Sequence, residues 1–113
     1  MAYTRLNPDI KPTAWTTVPT SGYPSGVSGT IRYCVAGKVA FVQFDGFRIS
    51  TTAWTTVATG LPKAVTNTAW FTTATDSTQN MKAQINTSGT MQVRLNSTGS
   101  NINVDSMFAY PCQ

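Results

Sequence analysis

The chain has 113 residues, room for one domain that buries about two-thirds of its unfolded surface. A hydrophobic content of 41%, with 3 Trp, 4 Tyr and 5 Phe, excludes a disordered chain. Only 11% of residues are charged, with a net charge of +4, and no segment approaches the roughly 18 consecutive apolar residues that a membrane span needs.

The polar remainder is rich in Thr, Ser and Asn, which suit strands and turns. Residues 1–29 read as an irregular, extended arm. Pro8, Pro12, Pro19 and Pro24 break helices and limit strands, and Ser21 to Gly26 is dense in turn formers. Such an arm suits attachment to a neighbour or to a larger body.

From residue 30 to 113 the strand signal is continuous. Thr30–Val35 is a strand closed by Ala36-Gly37. Lys38–Phe44 follows, with Val39 and Phe41 on one parity and Ala40, Val42 and Phe44 on the other. Apolar residues on both faces predict a central strand or a subunit interface. Asp45-Gly46 is a turn signal, after which Phe47–Ser50 is expected to pair back as a hairpin. Ala53–Val57 and Ala69–Thr75 are further strands, separated by Gly60-Leu61-Pro62, and Asp76–Asn80 is a polar loop.

The clearest pattern comes next. Met81, Ala83 and Ile85 alternate with Lys82, Gln84 and Asn86. Beyond Thr87-Ser88-Gly89-Thr90, Met91, Val93 and Leu95 alternate with Gln92, Arg94 and Asn96. This is a hairpin with one apolar and one wet face. Ser97 to Ser100 turns the chain, Ile102 and Val104 continue the alternation, and Met107–Tyr110 is a last strand stopped by Pro111. The sum is an all-β, antiparallel sandwich of about eight short strands. A doubly wound fold, which needs intervening helices, is excluded.

One hexapeptide recurs. Thr13-Ala14-Trp15-Thr16-Thr17-Val18 is repeated at Thr52-Ala53-Trp54-Thr55-Thr56-Val57, and loosely at Thr68 to Thr73. Either a Trp-bearing strand is used twice in the same way, or a Thr-rich composition repeats itself.

Three segments, Trp54 to Pro62, Ala83 to Val93 and Ile102 to Pro111, resemble the C-terminal β-sandwich head modules of bacteriophage tail-fibre and baseplate receptor-binding proteins. The resemblance covers about residues 28–111. It implies a jelly-roll-like sandwich, a homotrimer, and binding of host cell-surface saccharide from the virion surface. The chain departs from that family in having Lys63-Ala64-Val65 after Leu61-Pro62, and a short arm where the family has a long stem. The arm would then contact other virion proteins, and a capsid decoration or head-fibre subunit without a receptor is the alternative. The N-terminus has no apolar signal-peptide core, so synthesis in the host bacterial cytoplasm is expected.

Catalysis is not expected. The chain has no His, the commonest general base and metal ligand, and its four acids are Asp9, Asp45, Asp76 and Asp105. No Gly-x-Ser-x-Gly elbow, phosphate loop or metal-ligand spacing appears, so no cofactor or metal is expected. Cys34 and Cys112 are free or bridged, and free in a reducing compartment. The basic residues are scattered singly along the sequence, which argues against nucleic acid.

Saccharide recognition pairs aromatic faces with amides and charges. Tyr23, Trp54, Trp70, Phe71 and Tyr110 supply faces, and Asn67, Asp76, Gln79, Asn101 and Asn103 supply polar groups in expected loops. Trp54 reads first as a core or subunit anchor. Adjacent on a strand, Trp70 and Phe71 point opposite ways, so one ring leaves the core. The ligand-binding candidates are Trp70, Phe71, Asp76, Asn101 and Tyr23. The subunit-interface candidates are Val39, Phe41, Val42, Phe44 and Trp15, because one small sandwich has limited interior for such segments.

Overall fold

A computed structural model of the chain describes residues 12–96 and 102–113. Eight antiparallel strands form two four-stranded sheets. They are β1 (Thr16–Thr17), β2 (Ser28–Ala36), β3 (Val39–Ile49), β4 (Thr55–Ala58), β5 (Thr68–Thr73), β6 (Asn80–Ile85), β7 (Met91–Leu95) and β8 (Ile102–Pro111). The first sheet has the order β1-β2-β3-β8 and the second β4-β7-β6-β5. The second is a Greek key, while the first is a three-strand meander joined by the last strand. This is the antiparallel sandwich that the alternation predicts.

Period-2 patterning builds the core. Met81, Ala83 and Ile85 of β6 and Met91, Val93 and Leu95 of β7 face inward and are buried. They meet Ile31 of β2, Ala40, Val42, Phe44, Phe47 and Ile49 of β3, and Ile102, Val104 and Tyr110 of β8. Tyr110 brings a hydroxyl into this core and donates it to the Pro62 carbonyl at 2.8 Å. Burial pushes its pKa up.

Four sequence expectations need correction. Asp45-Gly46 does not close a hairpin. Strand β3 runs through it as a bulge, with Asp45 and Gly46 standing opposite the single residue Asp105 between the Phe44↔Ser106 and Phe47↔Val104 pairs. The extra residue shifts the side-chain phase, so Phe47 and Ile49 return to the core although their parity differs from that of Val42 and Phe44. Gly46 takes φ +57°, a conformation natural to glycine.

Second, the chain from Ile102 to Pro111 is one strand, aligned throughout on β3. Third, the arm expected over 1–29 is, in its described part, built into the sandwich. Thr13 and Val18 donate their backbone N–H to Val35 and Ile31 carbonyls at 2.8 Å each, β1 pairs with β2, and Val18 is buried in the core. Fourth, Val42 and Phe44 are not interface residues. They lie in the core between the sheets, because the second sheet covers the even parity of this part of β3. Cys34 and Cys112 are free and buried.

Candidate functional site

The second sheet turns its wet face outward, and register decides what meets there. The turn from Asn86 to Thr90 is held by Asn86 Oδ1, which accepts the N–H groups of Ser88 and Thr90 at 3.0 Å each. It sets Ile85 opposite Met91, which brings Lys82 opposite Arg94 and Gln84 opposite Gln92. Strand β5 adds Phe71 opposite Lys82 and Ala69 opposite Gln84. Strand β4 adds Thr56 opposite Gln92, with Trp54 just before it.

Two rows therefore cross the sheet. The first is Phe71, Lys82, Arg94 and Trp54. Lys82 Nζ is 5.1 Å from the Phe71 ring centre and 5.9 Å from that of Trp54. Arg94 Cζ is 5.7 Å from the Trp54 ring. Two cations thus share one indole, at cation–π distances. Neither is paired with a carboxylate among the described residues.

The second row is a hydrogen-bonded chain of amides. Gln84 Nε2 donates to Gln92 Oε1 at 2.8 Å, and Gln92 Nε2 donates to Thr56 Oγ1 at 3.3 Å. Beyond Gln84 and Ala69 the face descends into a cleft lined also by Asn67, Thr68 and Asn86. The surface offers ring faces, amides and two positive charges side by side. Those groups hold hydroxyls, apolar ring faces and anions.

The five ligand candidates from sequence do not converge. Phe71 is on this face and is 58% exposed. Trp70 points the other way, with its ring centre 4.5 Å from that of Phe108 and 6.5 Å from that of Tyr110. Asp76 lies at the end of the first sheet, where it is 3.5 Å from Arg48 and accepts the Asn103 N–H at 3.0 Å. Tyr23 is half-buried edge-on against Phe47, at 6.2 Å. Asn101 lies outside the described residues.

Sequence reasoning missed Lys82, Arg94, Gln84 and Gln92 as a group. The signal was in the hairpin: counting outward from its turn brings the residues of each pair opposite one another.

The first sheet has a different outer face. Its cross-strand rows are Ala36, Val39 and Pro111; Cys34, Phe41 and Ala109; and Arg32, Gln43 and Met107. Met107 is 57% exposed and Trp15, with Arg32 5.3 Å from its ring, is 43% exposed. Of the interface candidates, Val39, Phe41 and Trp15 are on this face.

The repeated hexapeptide is used twice in one way. Each copy forms an edge strand, β1 or β4, with its Val in the core and its Trp beside an Arg of the neighbouring strand. Val18 and Val57 line one groove. Comparison with protein-family models, curated proteins and solved structures finds no match to this chain.

Proposed function

We propose that this protein is a non-enzymatic adhesion module at the surface of a bacteriophage particle, binding saccharide of the host cell surface through the outer face of its second sheet. The observation that carries adhesion is the row Trp54, Arg94, Lys82 and Phe71 beside the Gln84–Gln92–Thr56 amide chain. The β6–β7 hairpin presents Lys82, Arg94, Gln84 and Gln92 in a hydrogen-bonded sheet flanked by β4 and β5, which keeps the ordering cost of binding low. The virion setting and a threefold assembly rest on the resemblance of three segments to tail-fibre and baseplate head modules.

A glycan array tests adhesion. Bound saccharides are expected for the wild-type chain, with the signal lost in Trp54→Ala and Phe71→Ala variants that keep their thermal stability. An array without any bound saccharide overturns the reading.

A second reading, a structural virion subunit such as a capsid decoration protein, is favoured by one observation. The outer face of the first sheet exposes Trp15, Val39 and Met107 together with half-buried Phe41. Exposed apolar patches of this kind mark protein contacts. Assembly in solution without glycan binding would select this reading over the first.

A further inference from the structure

We infer that the saccharide taken by the second sheet is anionic, carrying a carboxylate or phosphate group that bridges Lys82 and Arg94. The inference rests on the adhesion reading above and names its ligand class.

Lys82 and Arg94 are direct cross-strand partners. Like charges placed so repel, and sheets gain stability from opposite charges at such positions. Three described acids are elsewhere. Asp76 faces Arg48, Asp105 is bonded at the β3 bulge, and Asp45 is on β3 of the other sheet. The Trp54 and Phe71 rings hold the two cations through their quadrupoles without neutralising them. The face is thus a doubly positive spot with no carboxylate counter-ion among the described residues. An anion with two oxygens answers both charges and removes their repulsion, gaining more than either cation offers alone.

The neighbouring row decides what carries the anion. Gln84 and Gln92 are already aligned by the bond from Gln84 Nε2 to Gln92 Oε1, and neither bond of that chain uses the acceptor Gln84 Oε1. Amides a short step from a charge pair suit hydroxyls beside an acidic group. Single-stranded nucleic acid calls for a cationic groove that follows a phosphate backbone. Here the two cations occupy one row, and the next row is neutral.

The test is titration of the intact chain with one oligosaccharide backbone in neutral, uronate and phosphorylated forms, and with a homopolymeric oligonucleotide. An anionic form is expected to bind at least about tenfold more tightly than the neutral one, with the preference shrinking as salt is added. Lys82→Gln and Arg94→Gln are each expected to erase the preference, and Lys82→Arg to keep it. The uronate and phosphate arms distinguish the two sources of the anion. Equal binding of neutral and anionic forms overturns this inference and leaves adhesion standing. No saccharide binding overturns both. An oligonucleotide that outcompetes every saccharide also overturns it.

Discussion

Gly46 and Asp105 hold each other across the bulge in the first sheet: the Gly46 N–H donates to Asp105 Oδ1 at 2.6 Å. Asp105 is the single residue facing the two-residue bulge, and its other oxygen accepts from Asn103 Nδ2 at 2.8 Å and Thr75 Oγ1 at 3.4 Å. An exposed carboxylate thereby fixes the point at which β3 changes phase. Phe47 and Ile49 reach the core because of it. The bond connects a surface side chain to the packing of Phe47 against Phe44, whose ring centres are 4.9 Å apart.

The bulge sets an order of severity for two glycines. Gly46 has φ +57°, and a Cβ there meets nothing within 4 Å. Gly46→Ala is expected to cost about 1–2 kcal/mol, the price of the left-handed conformation. Gly29, opposite the bulge, has φ +95°, and its Cβ would lie 2.2 Å from the Gly46 carbonyl oxygen and 2.6 Å from the Phe47 Cα. Both atoms are backbone of the central strand, so neither can move aside cheaply. Gly29→Ala is expected to cost more than about 3 kcal/mol. Urea denaturation of both variants reads the order directly, and a milder Gly29 variant would contradict the bulge geometry.

Asp105 also gives stability a pH dependence. The Gly46 N–H first, then Asn103 and Thr75, hold its carboxyl below the usual carboxylate range. A lowered folded-state pKa means that the stabilisation is present above the unfolded value and is lost as pH falls through the folded one. Melting temperature should therefore drop as pH is taken below about 4, and part of that drop should vanish in Asp105→Asn. A variant with the same acid slope as the wild type would remove Asp105 from the account.

The fold was legible where local pattern decides it. Strict alternation from Met81 to Leu95 around one polar turn yields a hairpin and its register. Asp45-Gly46 was misread because the same dipeptide serves a two-residue hairpin turn and a bulge. The choice depends on Phe47 finding Val104, a partner 57 residues away in a ladder that local sequence does not reveal. Val42 and Phe44 were misassigned for a related reason. Both parities of β3 are apolar, and only the position of the second sheet says which is covered. In the site, Lys82 and Arg94 are countable from the turn, whereas the approach of Trp54 depends on the distant Thr55↔Val93 pairing.

The outer face of the first sheet predicts self-association. Met107 and Val39 protrude from neighbouring strands beside Phe41, so a charge at either position places a desolvation cost at the centre of any contact. Sedimentation at micromolar concentration should show the wild type assembled, with Met107→Lys and Val39→Lys dispersed to monomers. Both side chains are solvent-exposed in the single chain, so monomer stability should change by no more than about 0.5 kcal/mol. A wild-type chain that sediments as a monomer removes this face as a self-contact.

The Lys82–Arg94 pair should also be visible without any saccharide. Raising sodium chloride from about 0.01 M to about 0.15 M shortens the screening length from about 30 Å to about 8 Å, which weakens repulsion between exposed cations. Wild-type stability is expected to rise by up to about 1 kcal/mol over that range, the scale of a cross-strand charge pair. The net charge of +4 contributes a general salt effect as well, so the control must remove one charge elsewhere. Lys63 is exposed on the connection between β4 and β5 and is not a member of the cation row, so Lys63→Gln serves. Lys82→Gln should flatten the salt response and Lys63→Gln should leave most of it. Inorganic phosphate at matched ionic strength should stabilise the wild type beyond chloride, because an oxyanion can engage both cations at once, and that excess should vanish in Lys82→Gln. Identical responses in the two variants would mean that the two cations do not sense each other, and the pair would lose its standing as an anion site.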